Sequence, residues 1–295
     1  MKDLKGADDY KRRNNALILK YFYCKGSKMV KKDFHHPYIK KIIEKALRKV
    51  GIRKGDIILV HSDSSPVLQH KNIESLTDAL DLLKECFLNV LGPTGTLVVP
   101  TFNYDFCKGQ PYSHEKSMSQ VGMFTNFILL DKTSYRSFHP IFSFAAIGPD
   151  AKNVCNNISK SSFGIDSVFH KLHKLNAKMI FFNVSFEFCT FIHYVEQSIG
   201  VDYRFLKYFK GKVKMNDIEW EDSFDFYVRY LDREVVNSTT RLMNYLESIG
   251  KMNKVILAKK YPILLVKADD IYQAALKKLK KDPYYLLEHP PIKEE

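Results

Sequence analysis

Apolar positions fall along this chain in two rhythms. Ile39, Ile42, Ile43, Ala46, Leu47 and Val50 recur at three- and four-residue steps, which places them on one face of a helix, and Gly51 follows where a C-cap belongs. Residues 56–60 form a short apolar run ending at His61 and Ser62, the mark of a strand buried on both faces. A second amphipathic helix is predicted over about 75–90. The turn Gly92-Pro93-Thr94-Gly95 ends it, and 96–100 reads as another buried strand. Further strands are expected at 142–147 and 178–184. Strands alternating with amphipathic helices predict an α/β domain, a layered sheet core flanked by helices.

Beyond Gly200 the pattern changes. Residues 203–230 are rich in aromatic and β-forming side chains, with a turn signal at 215–217, and predict a small antiparallel β excursion. A strand at about 254–266 and a helix at 269–279 follow. Residues 1–36 are polar and basic around one apolar patch and read as an ancillary arm or helix. The organisation is therefore an N-terminal arm, 1–36, and one domain, 37–290, with a subdomain at about 200–253.

Composition narrows this picture. The length of 295 residues suits one large domain with a small appendage, and 45% apolar with 13% aromatic residues is too hydrophobic for a disordered chain. The formal charge of +13 favours anionic partners. Lysines are nevertheless spread along the chain, so no nucleic-acid partner is expected. Five widely spaced cysteines (Cys24, Cys86, Cys107, Cys155 and Cys189) lack a C-x-x-C pair and fit neither a disulfide framework nor a zinc site, so no metal is expected. No apolar run reaches transmembrane length and the N-terminus is charged, which points to a cytoplasmic protein.

Three stretches carry candidate chemistry. In Thr190-Phe191-Ile192-His193-Tyr194-Val195-Glu196, Thr190 is a natural N-cap, so His193 falls in the first helical turn and Glu196 on the same face. The positive end of the helix dipole disfavours a protonated histidine there, as a general base requires. Taken alone, the spacing fits a capping or core histidine equally well. Arg136-Ser137-Phe138-His139-Pro140 precedes a buried strand and fits an anion site or a fixed turn. His61-Ser62-Asp63-Ser64-Ser65 follows the first strand, where open α/β sheets bind ligands, and also reads as an ordinary polar loop.

Their order is more specific than any one of them. Val60-His61-Ser62-x-Ser64-Ser65 is followed by Gly95-Thr96-Leu97-Val98-Val99-Pro100-Thr101-Phe102 and Gly122-Met123-Phe124-Thr125-Asn126-Phe127. Arg136-Ser137-x-His139-Pro140-x-x-Ser143, Phe163-Gly164-x-x-Ser167, Thr190-x-x-His193-x-x-Glu196 and Tyr203-Arg204 complete the series. Over about residues 38–288 this text resembles the aminoglycoside 3-N-acetyltransferase family. Asp282-Pro283 and Leu286-Leu287 look like its closing helix. Gln69-His70-Lys71-Asn72 stands where family members often have a glycine pair.

The resemblance implies an acetyl-CoA-dependent N-acetyltransferase without a metal, acting on a small-molecule amino sugar; a homo-oligomer is compatible with it. It implies His193 as the catalytic histidine and Glu196 as its acidic companion. Ser62, Ser64, Ser65 and Val67 fall in the segment lining the CoA channel, with Thr101, Arg136 and Ser137 as further CoA neighbours. Tyr104, Asp105, Tyr203 and Arg204 fall on the acceptor side, and His139 has a structural role. The chemistry agrees with the assignment, because an ammonium cannot attack a thioester until a base takes its proton.

Charge then suggests the acceptor. Aminoglycosides are polycations, whereas the acceptor-side segments mix Asp105, Glu187, Glu196, Asp202, Glu221 and Asp222 with Arg204, Lys207, Lys210, Lys212, Lys214 and Arg229. On a +13 chain this favours a nucleotide-linked amino sugar for surface glycan synthesis, with an aminoglycoside as the alternative. Outside catalysis, a basic nucleic-acid-binding protein or a CoA binder without activity are the competing readings.

Overall fold

The computed structural model describes residues 37–70 and 73–292; the predicted arm, 1–36, lies outside the described residues. The chain runs through α1 (Pro37–Val50), β1 (Ile57–Ser62), the single turn α2 (Ser65–Leu68), α3 (Leu76–Leu91), β2 (Thr96–Pro100) and β3 (Tyr112–Ser113). Then come α4 (Met123–Leu129), β4 (Tyr135–Arg136), β5 (Phe144–Ile147), α5 (Ala151–Cys155), α6 (Val168–Lys174) and β6 (Lys178–Phe182). The last part holds α7 (Ile192–Ile199), β7 (Arg204–Met215), β8 (Ile218–Arg229), α8 (Thr240–Ser248), β9 (Met252–Leu257), β10 (Tyr261–Lys267) and α9 (Ala268–Leu279). The expected α/β fold is present, with one large sheet between helical layers and a second, smaller sheet.

The large sheet has seven strands in the order β4-β5-β2-β1-β6-β10-β9. Its centre is parallel, β1 pairing with both β2 and β6, while β5 and β10 run antiparallel on either side. Successive residues of the central strands enter opposite cores. Leu59, Val98, Met179 and Phe181 face the layer of α5, α6, α7 and α9, while Ile58, Val60, Leu97, Val99, Ile180 and Phe182 face α1, α3 and α4. Burial on both faces explains why these strands read as continuous apolar runs rather than alternating ones. Each such large side chain contributes about 1.5–3 kcal/mol on leaving water. Gly148 pins the end of β5 to the start of β2: it sits at φ +133°, and a Cβ there would collide with Gly95 O and the Thr96 backbone.

The excursion at 203–230 is a long hairpin of β7 and β8, twelve residues each. Asn216 and Asp217 turn it with φ of 49° and 64°, as a two-residue turn of the favoured twist requires. β3 pairs with β7 to complete the small sheet. Two expectations fail here. Residues 254–266 hold two antiparallel strands, β9 and β10, because Ala258 and Lys259 take φ of 50° and 61° at a turn that no glycine, asparagine or proline announces. Asp282, Pro283, Leu286 and Leu287 form turns rather than a closing helix, with Leu286 and Leu287 buried and Leu287 bridged to Asn237.

Candidate active site

The carboxyl ends of β1, β2 and β6 meet at one edge of the sheet, the usual place for a ligand in an open α/β fold. A cavity of about 480 Å³ opens there. His61 and Ser62 line it from the end of β1, Pro100 and Phe102 from β2, and Val184, Glu187 and Phe188 from the loop after β6. Tyr104, Cys189, Thr190, His193 and Asn237 close it.

His193 reaches this cavity through a compact local fold. After β6 the chain makes a 3₁₀ turn at Phe186–Phe188 and then enters α7. Thr190 does not cap that helix as expected. The 3₁₀ turn brings the chain in already folded back, so the Thr190 hydroxyl donates to Phe188 O at 3.4 Å and Phe191 takes the cap position without a side-chain bond. His193 still lies in the first helical turn, packed edge-on against Phe163.

Behind His193 stands a fully buried carboxylate. Glu196 Oε2 accepts from His193 Nδ1 at 2.6 Å, and its Oε1 accepts from the Tyr203 hydroxyl at 2.9 Å. Arg204 Nε lies 2.8 Å from the same Oε2, an ion pair whose N–H is not aligned on the oxygen. The rest of the guanidinium donates to Tyr227 O and to Asn237 Oδ1, at 3.2 and 2.9 Å. Burial pulls the Glu196 carboxyl upward, but Arg204, His193 and the hydrogen bonds outweigh it and hold the group below the ordinary carboxylate range. Burial, assisted by Arg204, lowers His193 against the opposing pull of Glu196. A neutral imidazole donating from Nδ1 to a carboxylate leaves its Nε2 lone pair for the cavity.

The other sequence-predicted residues divide sharply. Ser62 and Tyr104 join the cavity. Ser64 and Ser65 lie just beyond β1, where Ser65 donates its hydroxyl to Asp63 at 2.6 Å, and Val67 is core. Thr101 and Ser137 are buried, sharing hydrogen bonds with Ser143 and with Phe144 N–H. Arg136 spends its donors on His114 O and Ser143 Oγ. Asp105 faces Lys108 at 3.5 Å. Tyr203 and Arg204 lie behind Glu196 rather than in the cavity wall. His139 is structural: its Nδ1 accepts from Ile141 and Phe142 N–H while Nε2 faces Lys160 O.

Phe188 and Asn237 were not singled out in the sequence, and the buried His61 was noted only as part of the candidate stretch after β1. His61 stacks on Phe181 with ring centroids 5.3 Å apart. Its Nε2 and the Ser62 Oγ are buried without a partner among the described residues. Their position at the carboxyl end of the first buried strand was the available signal.

The family model for aminoglycoside 3-N-acetyltransferase matches residues 59–280. The chain belongs to this family. It is an acyltransferase by that membership. The aminoglycoside N(3)-acetyltransferase IV of Salmonella sp is 25% identical over 253 residues, covering 83% of this chain and 88% of that relative. Among solved structures, aminoglycoside acetyltransferase AAC(3)-IVa in complex with a gentamicin superposes with a TM-score of 0.69 at 22% identity, over 85% of this chain and 91% of that one. AAC-IIIb with CoASH gives 0.69 at 18% identity, over 82% and 96%. At these identities the two structures establish a common fold. Among the described residues, no helix of this family member is long and apolar enough to cross a membrane.

Proposed function

We propose that this chain transfers the acetyl group of acetyl-CoA to an amino group of a polycationic amino sugar of the aminoglycoside kind. The observation that carries the reading is the His193–Glu196 pair opening onto a cavity whose lining, among the described residues, includes one carboxylate, Glu187, and no lysine or arginine. Ammonium groups suit such a lining, whereas a nucleotide's phosphates would meet no cation there. The expectation of a nucleotide-linked acceptor rested on basic residues that stand elsewhere. Lys210, Lys212 and Lys214 pair with Glu221, Glu219 and Asp217 on the hairpin, and Arg204 is buried behind Glu196. The named relatives, aminoglycoside acetyltransferases, agree with the change.

Acetyl-CoA supplies the acetyl group as a thioester in the cytoplasm. The unpartnered Ser62 Oγ and the His61 ring fit its acyl end, since a carbonyl gaining negative charge needs donors in a water-poor site. His193 removes the proton from the acceptor amine through Nε2, and Glu196 stabilises the imidazolium so formed. The new bond joins the amine nitrogen to the acetyl carbon, the carbon–sulfur bond breaks, and the proton leaves with the thiol. The test is release of free CoA with aminoglycosides and with nucleotide-linked amino sugars, His193→Ala serving as control. Turnover of aminoglycosides that vanishes in the variant is expected. Faster turnover of the sugar nucleotides would overturn the acceptor assignment.

A further inference from the structure

His193 and Arg204 contact one and the same oxygen, Glu196 Oε2, at 2.6 and 2.8 Å, while Tyr203 takes Oε1 at 2.9 Å. Glu196 is completely buried and Arg204 nearly so. A buried carboxylate with one histidine would draw a proton onto that histidine and hold the imidazolium tightly. A base locked in that form cannot accept a proton from an amine. Arg204 changes this balance. Its fixed charge neutralises Glu196 at the oxygen that His193 also contacts, so the interior holds a balanced ion pair and the histidine can stay uncharged. Two further bonds anchor the guanidinium, to Tyr227 O and to Asn237, a residue of the cavity wall.

We propose that Arg204 and Tyr203 are positioning residues for acetyl transfer, locking Glu196 behind His193 and keeping the histidine a free base at working pH. The proposal rests on His193 as general base and reassigns two residues expected to touch the acceptor. Other groups near His193 do not substitute for Arg204. Arg229, also on the hairpin, acts on His193 more weakly than Arg204 and donates to Val235 O. Cys189, beside α7, is a buried thiol, pushed up to about 12 by burial. Across the cavity, His61 is pushed down to about 4 by burial and carries no charge, and Glu187 is engaged with Thr239 and Thr240. Of the Glu196 contacts, Arg204 supplies the permanent positive charge.

The test follows the His193 ring by ¹⁵N NMR titration of histidine-labelled protein, assigned by the resonance missing in His193→Ala. This readout requires no turnover. Arg204→Gln is expected to raise the His193 midpoint by roughly one unit or more, the scale of a nearby like charge removed. Arg204→Lys, which keeps a cation, is expected to titrate near wild type while turnover falls, because a lysine cannot reproduce the three-point anchor. Tyr203→Phe is expected to lower kcat with KM little changed. A folded Arg204→Gln protein whose His193 titrates at the wild-type midpoint overturns the proposal. If Arg204→Gln does not fold, Glu196→Gln and Glu196→Gln/Arg204→Gln answer the same question, the latter removing both halves of the buried pair. The double variant is expected to titrate at higher pH than the single one, and equal midpoints overturn the idea. Absence of any acetyl transfer by the wild-type enzyme would defeat the functional reading while leaving this titration to decide the role of Arg204.

Discussion

The carboxylate of Glu187 receives the Thr239 backbone N–H on both oxygens, at 2.8 and 3.0 Å. The Thr240 hydroxyl adds a third bond at 2.9 Å, so a side chain of the cavity wall caps the start of α8 from outside the helix. Glu187→Ala is expected to cost about 1 kcal/mol of stability, the usual value of a lost helix cap. It should also raise KM for a polycationic acceptor more than it lowers kcat. Urea unfolding and steady-state kinetics check the two effects separately. A stable variant with unaltered KM would leave Glu187 no part in the acceptor site.

Removal of the base has a larger effect. His193→Ala is expected to lose at least ~100-fold in turnover, the scale of general-base catalysis. Because burial and Arg204 lower His193, its neutral form persists below the ordinary histidine value near 6.5. The acid limb of kcat/KM should accordingly fall below about pH 6.5. A limb centred above 7 would mean that Glu196, not Arg204, dominates the histidine.

Stability should fall on mild acidification. Burial pushes His61 to about 4, and it pushes His139 to about 4 against the opposing bond to Lys160 O. In the unfolded chain both take a proton near 6.5, so between 6.5 and 4 the unfolded state binds more protons than the folded one. Their contribution is present above about 6.5 and is lost as pH falls toward 4, to an extent on the order of 3 kcal/mol per histidine. Urea midpoints at pH 7, 6 and 5 measure the slope. His61→Phe, which keeps a ring on Phe181, should flatten it.

Acceptor charge can be read from the hairpin. Lys210 and Lys212 are exposed and Lys214 is half-buried, and they pair with Glu221, Glu219 and Asp217 at 3.3, 3.2 and 3.0 Å. Solvent screens exposed pairs of this kind, so they add little to stability. None of the three lines the cavity, so replacing all of them by alanine should leave KM for an aminoglycoside little changed. A large rise in KM would place the acceptor against the hairpin.

Cys189 lines the cavity four residues before His193, yet burial pushes its thiol up to about 12, and Cys107 is pushed up to about 11. Neither is a thiolate at neutral pH. Direct transfer to the amine is therefore expected, with Cys189→Ala retaining turnover. Mass-spectrometric capture of an acetylated Cys189 that forms and decays at the rate of turnover would require a two-step route.

The sheet was legible because its central strands are buried on both faces and its amphipathic helices are not. Helix α4 was not, since Phe124, Thr125, Asn126, Phe127 and Ile128 are all buried and leave no polar face to set a period. The turn between β9 and β10 uses Ala258 and Lys259 in left-handed conformations that composition does not announce. At the site, His193 and Glu196 were legible because three residues of helix bring them together. The contacts of Tyr203 and Arg204 with Glu196 were not, since only the fold carries the start of β7 behind α7. Net charge is a weak guide to the acceptor for the same reason: a count of lysines does not say which of them faces the cavity.

The hairpin joins two unlike ends. Arg204 opposes Arg229 at its root, fastened to Glu196 behind His193, while Asn216 and Asp217 turn at a tip twelve residues away, about 40 Å along an extended strand. The tip touches Glu115 and lies beside β3, far from the contacts of Glu196 at the root. Distance along the strand therefore separates two kinds of change, so that recharging the tip alters what the outer end meets before it alters the charges around His193.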